Sequence, residues 1–158
     1  MNSSLYYVSV MPVSDCRIVK IYEESLPELT KELESFGLCE GQQTKDIIYQ
    51  HFVKPAIYQH LFIGLFKEAE VLGYEFVSLS PFDQKTVVAA FTYITKGCRG
   101  RGLSHLLRAE MLSQLLKKGV KKIYFSVNNS NEESKGNLVS FQKRYKIQEV
   151  SRTYCVEL

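Results

Sequence analysis

Residues Thr86–Leu116 constrain this chain more than any other stretch. They read TVVAAFTYIT, then KGCRGRG, then LSHLLRAEMLSQLL. A β-rich apolar run ends at a turn holding Gly97, Gly100 and Gly102, and a helical pattern begins on that turn. The first turn of a helix carries unpaired backbone N–H groups and the positive end of its dipole. Glycines leave that backbone uncovered, so an anionic group can come close. Arg99 and Arg101 add positive charge at the same point. The segment has the chemistry of a phosphate or pyrophosphate cradle.

The spacing narrows the choice of cradle. A dinucleotide fingerprint requires G-x-G-x-x-G, and His105 stands where the third glycine belongs. No G-x-x-x-x-G-K-[ST] string is present either. A Rossmann unit would also put its glycine turn after the first strand of a parallel sheet. Here three strand-like segments precede the turn: Leu61–Phe66, Val71–Ser80 and Val87–Thr95, joined by the polar turns Lys67–Glu70 and Pro81–Gln84. These read as an antiparallel meander.

Upstream, Leu5–Met11 alternates as a first strand that Pro12 closes. Ser14 or Asp15 can cap a helix through Arg17–Ser25, and Pro27 is expected to start a separate helical segment that stops at Gly37. Thr44 can cap a further helix through Ile47, Ile48, His51 and Phe52. After the glycine turn, Leu103, Leu106, Leu107, Met111 and Leu115 fall on one helix face, and Gly119 is a C-cap candidate. Ile123, Phe125 and Val127 alternate as a strand. A polar loop over Asn128–Gly136, a short helix over Asn137–Tyr145 and a last strand over Gln148–Val156 complete the pattern. No repeat or linker interrupts it, so residues 1–158 are expected to form a single domain. The fold class is α/β (α+β): a central, mostly antiparallel mixed sheet flanked by helices.

Charge is unevenly spread over the chain, whose net value is +3. Residues 1–95 hold 7 Lys and Arg against 12 Asp and Glu, whereas residues 96–158 hold 13 against 5. A basic C-terminal half suits an anionic ligand. Nucleic acid could exploit the same charge, but no RNP-like string, zinc finger or base-reading basic helix supports that rival. The acidic N-terminal half suits either a cationic amine substrate or solvated helix faces. The four cysteines are scattered and form no C-x-x-C, which argues for reduced thiols, a cytoplasmic location and no metal site. No apolar run approaches the roughly 20 residues of a membrane span.

Arg99-Gly100-Arg101-Gly102-Leu103-Ser104 resembles the R/Q-x-x-G-x-G/A signature of the GNAT superfamily of N-acetyltransferases. Ser104 replaces the usual Gly or Ala. The order of elements is similar to the GNAT layout over nearly the whole chain. The resemblance implies an acetyl-CoA-dependent N-acetyltransferase acting on an amine acceptor that is a small molecule or a peptide or protein; the chain is expected to be a monomer or a homodimer. It implies that the backbone amides of Gly100, Arg101, Gly102, Leu103 and Ser104 cradle the pyrophosphate, with Arg99 near the phosphates. The pantetheine arm would pair with Thr92, Tyr93 and Ile94, and a backbone N–H near Ile94 would polarise the thioester carbonyl. Asn131 and Asn137 are candidates to hold the pantetheine amide.

Besides Ser104, the chain departs from the family in two places. Gln142 stands where many members carry the Tyr that protonates the departing thiolate, and Tyr145, one turn on, is the substitute candidate. The strand before the motif lacks the Glu that some members use as general base. Glu75 on the neighbouring strand is the nearest candidate, with Tyr93 and water as alternatives. Glu75 alternates with Tyr74 and Phe76, a pattern that equally suits a solvent-facing carboxylate. No Ser/His/Asp or Cys/His pattern suggests a covalent acyl-enzyme, so direct transfer is expected. The alternatives are a GNAT-like CoA-binding or regulatory module without catalysis, and a nucleic-acid-binding domain.

Overall fold

The computed structural model describes residues 6–12, 15–35, 60–79, 82, 85–123, 132–147 and 149. The elements run β1 (Tyr6–Val10), α1 (Cys16–Ser35), β2 (His60–Lys67), β3 (Glu70–Leu79), β4 (Thr86–Ile94), α2 (Ser104–Lys117), β5 (Lys122–Ile123) and α3 (Glu132–Gln142). The chain divides into two compact units, residues 1–125 and 126–158.

The first unit is built on one sheet of strand order β1-β2-β3-β4-β5. The pairs β1–β2, β2–β3 and β3–β4 are antiparallel, and β5 runs parallel to β4 at Thr86 and Val87. The hairpin of β2 and β3 forms because two apolar runs are joined by a short polar turn at Glu68 and Ala69. Both faces of the sheet are covered, so residues 61–66 and 72–79 are buried without a break.

On one face α1 lays Ile21, Tyr22 and Leu29 against Phe62, Phe66, Tyr74, Phe76 and Tyr93. On the other face α2 presents Leu107, Met111 and Leu115 to Leu61, Ile63, Leu65, Val77, Leu79 and Val87. Leu103, Leu107, Met111 and Leu115 recur every fourth residue and are all buried. Leu106 sits beside that stripe and is exposed, although the helical pattern placed it on the same face.

Two helix boundaries differ from the sequence reading. Pro27 does not begin a new segment but lies inside the continuous helix α1. Its ring fixes a φ that a helix accepts, and the loss is one hydrogen bond to the Glu23 carbonyl. The buried side chains Ile21, Tyr22, Ser25, Leu29 and Thr30 continue on both sides of it, and this packing outweighs the break. Likewise α3 begins at Glu132, within the segment read as a polar loop. Glu132 pairs with Lys135 at 2.8 Å, and an acidic residue in the first turn suits the helix dipole. Asp15 caps α1 as expected, accepting the Arg17 backbone N–H at 2.9 Å. The helix expected after Thr44, the strand positions Phe125 and Val127 and the last strand over 148–156 lie outside the described residues.

Candidate functional site

The site lies where β4 ends and α2 begins. Thr95 donates its backbone N–H to the Leu72 carbonyl at 2.9 Å, so residues 95 and 93 bond toward β3. In an antiparallel ladder successive residues alternate, and Thr92 and Ile94 therefore aim N–H and C=O away from β3. The Ile94 carbonyl is in turn met by Arg99 Nε at 2.8 Å. Among the described residues β5 pairs only with the start of β4.

A short 3₁₀ turn, Lys96–Cys98, then leads to Gly100 and Gly102, whose φ values are +74° and +73°. Only glycine takes these angles without strain. A Cβ on Gly100 would meet nothing within 4 Å, and one on Gly102 would meet only the His105 ring at 3.8 Å. Packing does not demand these glycines; the turn and the open space above it do. The backbone N–H groups of residues 100–104 make no hydrogen bond among the described residues, while those of Cys98, Arg99 and His105 do. Five successive unbonded amides at a helix N-terminus form a ready anion site. This donor set fits a pyrophosphate, and so fits the CoA moiety.

Arg101 rests on the Tyr6 hydroxyl at 3.3 Å and the Gly97 carbonyl at 3.2 Å. Arg99 points elsewhere. One of its terminal nitrogens meets both Glu28 oxygens, at 2.8 and 2.9 Å, and its guanidinium lies 5.5 Å from the Tyr93 ring centroid. The Tyr93 hydroxyl donates to Glu24 Oε1 at 3.1 Å. Burial and the Glu24 carboxylate push Tyr93 up to about 12.

Tyr93 and the two carboxylates border a groove of about 380 Å³, lined by Glu24, Pro27 and Glu28 of α1, by Tyr93, and by Thr95, Lys96 and Gly97. Glu24 and Glu28 escaped the sequence reading as site residues. They lie 69 and 71 positions from the side chains they meet, and only the paired alternation of a helix and a distant strand could have joined them.

Glu75 is not solvent-facing. It is 2% exposed and accepts a hydrogen bond from Thr92 Oγ1, its cross-strand neighbour, at 2.7 Å. It shares the α2 face with Ile63 and feels the charge of Arg108. Burial raises its carboxyl from 4.5 to about 7, against the opposing pull of Thr92 and Arg108. The groove opens instead on the α1 face, where Tyr93 points, so the structure does not bring Glu75 into it.

In the second unit, Tyr145 follows α3, is exposed, and packs on Phe141 with ring centroids 4.7 Å apart. Gln142 closes that helix and is also exposed. Asn137 lies in α3, and Asn131 lies outside the described residues. Among the described residues no helix is long and apolar enough to cross a membrane.

Comparison with known proteins agrees with this layout. No curated sequence matches the chain. Solved structures do match over nearly its whole length. A ribosomal-protein-alanine N-acetyltransferase from Brucella melitensis biovar Abortus 2308 superposes with a TM-score of 0.59 at 11% identity, covering 98% of this chain and 99% of that one. An aminoglycoside acetyltransferase from an uncultured soil metagenomic sample, solved with sisomicin, gives 0.63 at 9% identity over 99% and 100%. An acetyltransferase from Trypanosoma brucei gives 0.59 at 13% identity over 98% and 100%. At such identities the likeness establishes the fold. The sequence model of the acetyltransferase (GNAT) family matches residues 19–138, about three quarters of the chain, and includes the whole glycine turn and α2. The chain belongs to the GNAT acetyltransferase family.

Proposed function

We propose that the protein transfers an acetyl group from acetyl-CoA directly to the nitrogen of an amine acceptor. The observation that carries this reading is the run of unbonded amides over residues 100–104, which follows the end of β4 and the groove-lining residues Thr95, Lys96 and Gly97 in the chain. Acetyl-CoA would supply an activated thioester, whose carbonyl carbon the amine attacks.

The residues divide the work. The amides of Gly100, Arg101, Gly102, Leu103 and Ser104 would hold the pyrophosphate with the help of the α2 dipole. The outward N–H and C=O groups of Thr92 and Ile94 would pair with the pantetheine arm as a further strand does. The Ile94 N–H would donate to the acetyl oxygen as negative charge develops there. The groove would admit the acceptor on the α1 face. An alkylammonium must lose a proton before attack, and of the two carboxylates that line the groove Glu24, held by Tyr93, is the one not paired with Arg99. Glu75, buried under α2, would then hold Thr92 and the end of β4 in register rather than touch the amine. Tyr145 is proposed on the family resemblance alone as proton donor to the departing thiolate. Holding both reactants in one orientation would contribute a large part of the rate.

Calorimetric titration of acetyl-CoA tests the reading, with wild-type protein compared with Gly102→Trp. Binding to the wild type that the substitution abolishes is the expected result. No binding to the wild type would overturn it. Binding without release of free thiol across a panel of amines would leave a CoA-binding module without transfer.

A further inference from the structure

One of the carboxylates that line the groove, Glu28, already holds a cation that belongs to the protein itself. The Arg99 guanidinium sits between the Glu28 carboxylate, the Ile94 carbonyl and the face of the Tyr93 ring. A carboxylate, a carbonyl oxygen and an aromatic face are all groups that recognise a cationic nitrogen. The groove is lined by Glu24 and Glu28 against Lys96, and Arg99, bound to Glu28 from beside it, brings these charges into balance. With Arg99 withdrawn, one negative charge is left over.

We propose that Glu28 is a specificity-determining residue for a cationic acceptor and that Arg99 occupies it until the donor binds. The inference rests on the acetyl-CoA reading above. Two features of the donor would draw Arg99 away. Its pyrophosphate, cradled by the amides that directly follow Arg99 in the chain, offers a stronger counter-charge than one carboxylate. An arm that pairs with Ile94 also competes with Arg99 Nε for the same carbonyl oxygen. The side chains of Arg99 and Glu28 are 27% and 39% exposed, so water can reach both and the pair can exchange without unpacking the core. Once Arg99 turns to the phosphates, the Glu28 carboxylate is uncovered at the groove, beside Tyr93. An acceptor carrying an ammonium group replaces the guanidinium there. The order of binding follows: donor first, then the cationic amine. It also follows that an acceptor with a second positive charge is favoured over a neutral one, because one cation can stay on Glu28 while another nitrogen reacts.

The test exploits a sign that a purely structural ion pair cannot give. If Glu28 competes with pyrophosphate for Arg99, removing the carboxylate tightens donor binding. Titration calorimetry of acetyl-CoA is expected to show Glu28→Gln binding about fivefold tighter than wild type, the scale of a partly exposed ion pair. Arg99→Gln is expected to bind more weakly. Glu28→Gln is expected to change nothing when added to Arg99→Gln, since the two effects share one interaction. Spermidine, as a cationic probe, is expected to bind more tightly to wild type saturated with CoA than to free wild type. That gain is expected to vanish in Glu28→Gln.

Unchanged or weaker acetyl-CoA binding in Glu28→Gln would overturn the exchange. Spermidine that binds the CoA-loaded wild type no better than the free protein, or does not bind at all, would overturn the acceptor role of Glu28. Wild type that fails to bind acetyl-CoA would sink the acetyltransferase reading itself and the exchange with it.

Discussion

The two faces of the sheet solve the same burial problem with different chemistry. The α2 face is aliphatic: Leu61, Ile63, Leu65, Val77, Leu79 and Val87 against Leu107, Met111 and Leu115, with the buried carboxyl of Glu75 beside them. The α1 face is aromatic and hydrogen-bonded. Phe62 stacks on Tyr74 and meets Phe76 at a tilt, and Tyr74 and Tyr93 carry their hydroxyls to partners on α1. An aliphatic face holds its shape only by being filled, because no directional bond fixes it. An aromatic face with polar tips can stop at water, since each tip finds a partner there. That difference explains why the groove opens on the α1 side: the face that ends in Tyr93, Glu24 and Glu28 can line an aqueous cleft, and the other cannot.

The comparison predicts first that a cavity on the α2 face is the most damaging change. Leu107 is fully buried at the centre of that cluster. Leu107→Ala should cost about 3–5 kcal/mol by denaturant unfolding, the sum of lost transfer energy and an unfilled cavity. A cost near 1 kcal/mol would mean that the face can collapse around the gap and is not rigidly packed.

The next largest effect concerns the polar exception on that face. Burial raises Glu75 to about 7 from its ordinary 4.5. Between these values the folded protein holds a proton that the unfolded chain has released. The contribution is therefore fully present below about pH 4.5 and is lost as pH rises through about 7. Glu75→Gln, which keeps an acceptor for Thr92, should remove this dependence and be more stable than wild type at pH 8 by about 3 kcal/mol, an order-of-magnitude figure. Urea unfolding of both proteins from pH 5 to pH 8 measures it. Parallel curves would show that Glu75 does not titrate differently in the folded state.

How far the two faces were legible in the sequence follows from the kind of signal each leaves. The meander is written in apolar runs set apart by polar residues, the stripe Leu103, Leu107, Met111, Leu115 in strict periodicity, and the glycine turn in three glycines before a helical run. These local patterns survive folding because side-chain direction repeats with backbone geometry. Alternation also set Glu75 opposite Tyr74 and Phe76, but whether that face meets water depends on where α2 lands, which no local pattern encodes. Pro27 misled because its rule is a local cost, and the packing of α1 on both sides of it is larger. Arg99 was legible as part of the motif, yet its pairing with Glu28 was not, since 71 positions separate them. The groove is made of such distant meetings.

A finer contrast lies within the α1 face, between its closed and open ends. Tyr74 is fully buried, and its hydroxyl meets Ser25 Oγ at 2.5 Å. Ser25 gives its own hydrogen to the Tyr22 carbonyl at 2.7 Å, so Tyr74 is the donor. Tyr74→Phe leaves the completely buried Ser25 oxygen without that donor and should cost about 1–2 kcal/mol.

Tyr93→Phe removes a hydrogen bond of the same type from the same face, but Glu24 stands at the groove and is exposed. Water can replace the lost phenol there, so the stability cost should be about 0.5 kcal/mol or less. The functional effect runs the other way. Glu24 loses the contact that fixes its carboxylate, and the rate of thiol release with an amine should fall while acetyl-CoA binding, measured by calorimetry, stays unchanged. Equal stability costs for the two substitutions would erase the distinction between a closed and an open end of the face. Tyr93→Phe with full activity would remove Glu24 from the proposed proton path, because a carboxylate that works equally well unanchored is not being positioned for anything.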